Sequence, residues 1–136
     1  MKFFNTSKFL FSIIMIYTML FCCNNHSNII ATVDYSFTGC FGSENSKLLI
    51  YKTDNAIMAK LETKGFHRTY KRKLNALQID TLNIFIQKLR NLDEEGLCTT
   101  QEYYKVFIGN EIISKTDGNC DWNGFTKLKE FLFNHY

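Results

Sequence analysis

Thr100-Gln-Glu-Tyr-Tyr-Lys-Val-Phe-Ile-Gly-Asn-Glu-Ile-Ile-Ser-Lys-Thr116 decides how this chain folds. Its first nine residues are rich in aromatic and β-branched side chains, Gly109-Asn110 supplies a tight turn, and Glu111 to Thr116 returns, so the stretch reads as an antiparallel hairpin. With Gly109 and Asn110 as the turn residues, Ile108 faces Glu111, Val106 faces Ile113 and Thr99 faces Cys120. Cys98 is then one step out of register with Cys120. A single bulge, or a ladder that ends near Thr100, brings the two sulfurs within bonding reach.

Working upstream, Ile29 to Phe37 alternates, with Ile29, Ala31, Val33, Tyr35 and Phe37 on one side and Thr32, Asp34 and Ser36 on the other. That pattern predicts a strand half buried in an antiparallel sheet. Gly39-Cys40-Phe41-Gly42-Ser43 breaks it, the two glycines suiting a turn with positive φ. Lys47–Lys52 and Ala56–Glu62 flank Asp54-Asn55, which reads as a two-residue loop of type I′. That register sets Leu48 opposite Leu61, Ile50 opposite Ala59, Lys52 opposite Ile57, and Lys47 opposite Glu62 as a cross-strand ion pair. Gly65 opens a fourth strand over Phe66–Leu74, whose Arg68, Lys71, Arg72 and Lys73 suit an exposed edge guarded against pairing with other chains.

Asn75 followed by Gln78 is a capping-box pair that starts a helix. Ile79, Leu82, Phe85, Ile86 and Leu89 form its apolar stripe, and Asp80, Gln87, Lys88 and Arg90 face water. A last helix begins near Asp121 or Asn123 and runs to about Asn134, with Trp122, Phe125, Leu128, Phe131 and Leu132 on its apolar side. The expected fold is α+β: an antiparallel sheet of about six strands in the order ββββαββα, with two helices packed on one face.

Lys2 and Lys8 precede an apolar block, Phe9 to Phe21, which is followed by Cys22-Cys23 and a polar run. A positive segment followed by a short apolar one is the pattern of an export signal, and the block falls short of the roughly 20 residues of a comfortable membrane span. An uncleaved anchor or a buried helix is the alternative. A lipid-modified cysteine directly after such a block is the mark of bacterial lipoproteins; Leu20 fits that pattern, the bulky Phe21 does not, and Cys23 is the better acceptor. The chain therefore divides into a leader over 1–23, a tether over 24–28 and a single domain over 29–136.

Without Lys2 and Lys8, the 16 basic residues become 14 against 13 acidic ones, a balance that argues against nucleic acid as a partner. Three cysteines stay in the domain, an odd number, so one is unpaired in any monomer. Cys98 with Cys120 is the expected bond, and Cys40 with either of them the alternative. Their spacing does not fit a zinc site, and neither a metal nor a cofactor is expected. Cys40 with His67 can be written as a nucleophile pair, yet nothing in the sequence activates it. Asp54 is explained by its turn and Asp34 by the polar side of its strand.

Gly39-Cys40-Phe41-Gly42, Gly96-Leu-Cys98-Thr99-Thr100 and Asp117-Gly-Asn-Cys120-Asp121-Trp122, after a leader that ends in cysteine, resemble uncharacterised small exported lipoproteins of Bacteroidota. The resemblance implies a cell-envelope location and carries no catalytic residues. Two functions fit. One is a non-catalytic binding or inhibitor-like module, attached to a membrane through an N-terminal lipid and recognising a protein or glycan through the sheet face that bears Tyr51, Tyr103 and Phe107. The other is a small envelope hydrolase using His67 with Cys40 or an acid.

Overall fold

The computed structural model describes residues 28–40, 42–65, 68–93, 96, 98–118 and 122–133. Six strands and two helices follow in the order ββββαββα: β1 (Asn28–Gly39), β2 (Gly42–Thr53), β3 (Ala56–Lys64), β4 (Arg68–Lys73), α1 (Ala76–Arg90), β5 (Gln101–Ile108), β6 (Glu111–Asp117) and α2 (Gly124–Phe133). All neighbouring strands are antiparallel, in the spatial order β4-β3-β2-β1-β5-β6. The first four strands form a meander. α1 then carries the chain to the far side of β1, where β5 pairs with it and β6 closes the second edge.

The hairpin registers follow the expectation: Ile108 opposite Glu111 and Val106 opposite Ile113 in one, Leu48 opposite Leu61 and Ile50 opposite Ala59 in the other. The β2–β3 loop is two residues long, with Thr53 opposite Ala56, but neither Asp54 nor Asn55 takes a positive φ, so it is not type I′. The Thr53 hydroxyl donates to the Ala56 carbonyl at 3.0 Å and ties the loop's ends. β2 is also longer than expected, because Gly42 to Ser46 continue the ladder against β1. Of the two glycines at that turn, Gly42 has φ +133°, whereas Gly39 is needed for space: a Cβ there would stand 2.6 Å from Thr100 Oγ1.

One face of the sheet is the core. Ala31, Val33 and Tyr35 of β1, Leu48 and Ile50 of β2, Ala59 and Leu61 of β3, Tyr104 and Val106 of β5 and Ile113 of β6 are buried there beneath α1 and α2. The expected stripe of α1 is in place, with Leu82, Phe85, Ile86 and Leu89 buried and Ile79 half-buried against them. Asn75 Oδ1 accepts from the Gln78 amide at 2.8 Å, and Gln78 Oε1 accepts from the Asn75 amide at 3.0 Å, the reciprocal box that the sequence announces. α2 buries Phe125, Leu128 and Leu132. Its last carbonyls would be orphaned without partners. Gln78 Nε2 and Arg72 Nη1 both donate to the Leu132 carbonyl, at 3.4 and 3.2 Å, so Arg72 serves the helix rather than only guarding the edge as expected.

Three further expectations are corrected. Ile29 is 63% exposed, not buried, because a register shift between Ile29 and Ala31 turns it out of the core row. Asn28, assigned to the tether, is already paired with Lys52. Lys47 and Glu62 do stand opposite each other, but Lys47 pairs with Asp34 on its other side at 3.6 Å, while Glu62 is held by Lys60 of its own strand.

Candidate binding face

The helices cover one face of the sheet, and the registers fix what the other presents. Five rows of side chains cross it, the last of them Ser43, Thr38 and Gln101. Nearest the start of β1 run Lys73, Met58, Tyr51 and Ile29; next come Lys71, Lys60, Leu49, Thr32, Phe107 and Ile112. The third row alternates in charge, Glu62, Lys47, Asp34, Lys105, and ends at Ser114. The fourth is Lys64, Asn45, Ser36, Tyr103 and Thr116.

The third and fourth rows line a trough of about 450 Å³, with Asp34, Lys47, Glu62 and Lys105 along one side and Asn45, Ser36, Tyr103 and Thr116 along the other. Its walls offer ammonium and amide donors, carboxylate and hydroxyl acceptors, and the ring of Tyr103, 41% exposed. Tyr103 donates its hydroxyl to Gln101 Oε1 at 2.5 Å, which fixes the ring at the rim. The hydrogen bond from Lys60, with its charge, holds the Glu62 carboxyl below the usual carboxylate range. The trough thus presents fixed charges of both signs around neutral polar groups. That lining suits a polar ligand laid across the strands, with a flat group against the tyrosine.

The three residues expected to form one surface fall into two places on this face. Tyr103 belongs to the trough. Tyr51 and Phe107 lie two rows and one row beyond its charged side, half-buried with Met58 and Leu49, and Lys105 Nζ stands 5.2 Å from the centre of the Phe107 ring. Alternation placed all three on one face; the charged row that divides them became visible only once the strand order was known.

The most perturbed titratable groups lie on the helix side. Tyr35 and Tyr104 both donate their hydroxyls to Glu102, Tyr35 to Oε1 at 3.1 Å and Tyr104 to Oε2. Burial, then the neighbouring Glu102 carboxylate, pushes both phenols far above their ordinary value. Neither residue was singled out from sequence for this role. The signal was present, since Glu102 and Tyr104 share a face of β5 and Tyr35 sits opposite Tyr104. The cluster closes on itself, each phenol using its proton on the same carboxylate, and is structural.

Cys40 is free and exposed at the β1–β2 turn. His67, its expected partner in the hydrolase reading, lies outside the described residues, as do Cys23 and Cys120. The Cys98 amide donates to the Gly118 carbonyl at 3.0 Å, so the two chain segments meet two residues before Cys120. Among the described residues no group of three or more His, Cys, Asp or Glu is arranged to hold a metal ion, and no helix is long and apolar enough to cross a membrane. Compared with protein-family models and with curated proteins, the chain matches none.

Proposed function

We propose that this chain is a non-catalytic binding module of the cell envelope whose ligand, a protein segment or a glycan, seats in the trough of the helix-free face. The observation that carries the reading is the placement of both helices on one side, which leaves the opposite side with a polar trough of about 450 Å³ and the exposed ring of Tyr103 at its rim. Export and attachment through a lipid on Cys23, as in the small exported lipoproteins that the sequence resembles, belong to the same proposal. So does a Cys98–Cys120 bond, which is supported by the contact of the Cys98 amide with the Gly118 carbonyl and by Cys40 being free.

The trough is tested with the full chain immobilised on beads and exposed to envelope extract and to a panel of oligosaccharides. Tyr103→Ser removes the exposed ring at the rim of the trough without touching the core, and is expected to lower retention of the captured ligand by up to about tenfold, the loss of one aromatic contact of about 0.5–1.5 kcal/mol. Retention unchanged by Tyr103→Ser would place the site elsewhere. A turnover that vanished in Cys40→Ala, with the fold intact, would replace the binding reading by the hydrolase one.

Mass spectrometry of the membrane-extracted protein reads the covalent proposals together. The expected result is a mature chain that begins at a lipid-bearing Cys23 and a non-reduced peptide joining Cys98 to Cys120. An unmodified N-terminus beyond Cys23 refutes the anchor, and a peptide joining Cys40 to either cysteine refutes the pairing. The bond closes a loop of about 20 residues and contributes about 3 kcal/mol by chain-entropy reasoning.

A further inference from the structure

The two rows nearest the start of β1 differ in kind from the trough. Ile29 and Ile112 are 63% and 61% exposed, and Ile30, at the register shift, is 39% exposed, so this apolar area is not used by the core. The charge around it is mostly of one sign. Lys73 and Lys71 on β4 belong to these rows, and Lys52 stands exposed at the end of β2. Glu111 at this end is taken by Arg90 at 2.6 Å, and Asp54 lies in the β2–β3 turn. Branched apolar side chains with lysines along the same end of the sheet fit the boundary of a bilayer with anionic headgroups, the ammonium groups meeting phosphate and the isoleucines reaching the acyl chains.

The order of the chain puts this end where such a surface would be. β1 starts at Asn28, and only Cys22 to Ser27 separate it from the apolar block Phe9–Phe21. The five steps from Cys23 to Asn28 span at most about 18 Å when fully extended. A domain held by lipid on Cys23, or by the block itself, keeps its Ile29 end within that reach of the bilayer.

We propose that the Ile29 end of the sheet rests end-on against an anionic bilayer surface, with Ile29, Ile30 and Ile112 at the headgroup boundary, Lys71, Lys73 and Lys52 on phosphates, and the trough open one row further out. The proposal rests on the anchoring reading above.

The test uses the full chain carrying Cys40→Ser, with either Ile112→Cys at the proposed contact or Thr38→Cys at the far end of the same face. Both positions are exposed, so the fold tolerates either change. Each variant is placed in phosphatidylcholine vesicles with about a quarter phosphatidylglycerol. Flotation reports anchoring, and labelling by a water-soluble maleimide, read at the introduced cysteine by peptide mass and taken relative to the same variant in detergent-free denaturant, reports contact. The expected result is a floating protein in which Ile112→Cys reacts about tenfold more slowly than Thr38→Cys, a difference that shrinks in phosphatidylcholine alone. Equal rates in a floating protein overturn the seating and leave the anchor. A protein that does not float overturns both. Slow labelling that is the same without phosphatidylglycerol overturns the choice of an anionic surface.

Discussion

Phe125→Ala is expected to remove about 3–5 kcal/mol of stability, a third or more of the roughly 10 kcal/mol at the middle of the usual range. Phe125 is 1% exposed and stacks on Tyr35 with ring centres 4.2 Å apart and planes 16° apart. Through Tyr35 the stack reaches Tyr104 at 5.4 Å, and Tyr104 meets Trp122 and Phe85, which are themselves stacked at 5.5 Å. One cluster of rings therefore ties β1 and β5 to both helices. Gly124 permits it: a Cβ at that position would lie 2.5 Å from the Trp122 ring, so the indole packs flat against helix backbone. Deleting Phe125 empties a space that neither the sheet nor α1 can collapse into, because each is held by its own hydrogen bonds. Urea unfolding should show the loss as a lower midpoint with an unchanged slope, and Phe125→Leu, which keeps most of the volume, should cost less than about 1.5 kcal/mol. A loss below about 1 kcal/mol for the alanine variant would mean that α2 is not part of the cooperative core.

Most of that core was legible beforehand because its signals are local. Alternation in Ile29–Phe37, the Gly109-Asn110 and Asp54-Asn55 turns and the Asn75–Gln78 box each specify their element within about ten residues, and the registers then follow from turn length. The failures have a different origin. Ile29 has the right parity, yet the irregular step at Ile30 shifts it, and no residue type marks that step. The Lys47–Glu62 pair was inferred from two strands alone; Asp34 comes from a third, and competition among three charges in one row depends on sheet order. That order, β1 inserted between β2 and β5, rests on a contact made across the length of the chain, about which periodicity carries no information.

The same limit applies to the site. Face assignment follows from parity, so Tyr51, Tyr103 and Phe107 were correctly put together on the side away from the core. Their grouping into one patch needed the lateral order of five strands. Once that order is known, the row Glu62, Lys47, Asp34, Lys105 separates a polar trough with Tyr103 from an apolar and basic end with Tyr51 and Phe107. The split changes what a double replacement of Tyr103 and Phe107 would mean, since Phe107 lies beside the buried Thr32 and adds a folding cost that Tyr103 does not.

The Tyr35–Glu102–Tyr104 cluster sets how the protein responds to alkali. Both phenols are buried, at 5% and 2% exposure, and both hold their protons above the usual value near 10 that they regain on unfolding. Below pH 10 each tyrosine is protonated whether the chain is folded or not, so the stability contributed by the cluster is fully present. As the pH rises past 10, the unfolded chain releases two protons that the folded chain keeps, and stability falls by up to about 1.4 kcal/mol per pH unit for each phenol. Urea midpoints should therefore drop steeply between about pH 10 and 12. Tyr35→Phe is expected to cost about 1–3 kcal/mol at neutral pH, because Glu102 loses a charge-assisted donor, and to remove half of this alkaline slope. The double variant Tyr35→Phe with Tyr104→Phe should remove both portions, leaving the difference from the parent protein to report the two phenols alone. Curves for the parent and the double variant that run parallel from pH 9 to 12 would show that neither proton is held by folding, and that Glu102 draws its hydrogen bonds from elsewhere.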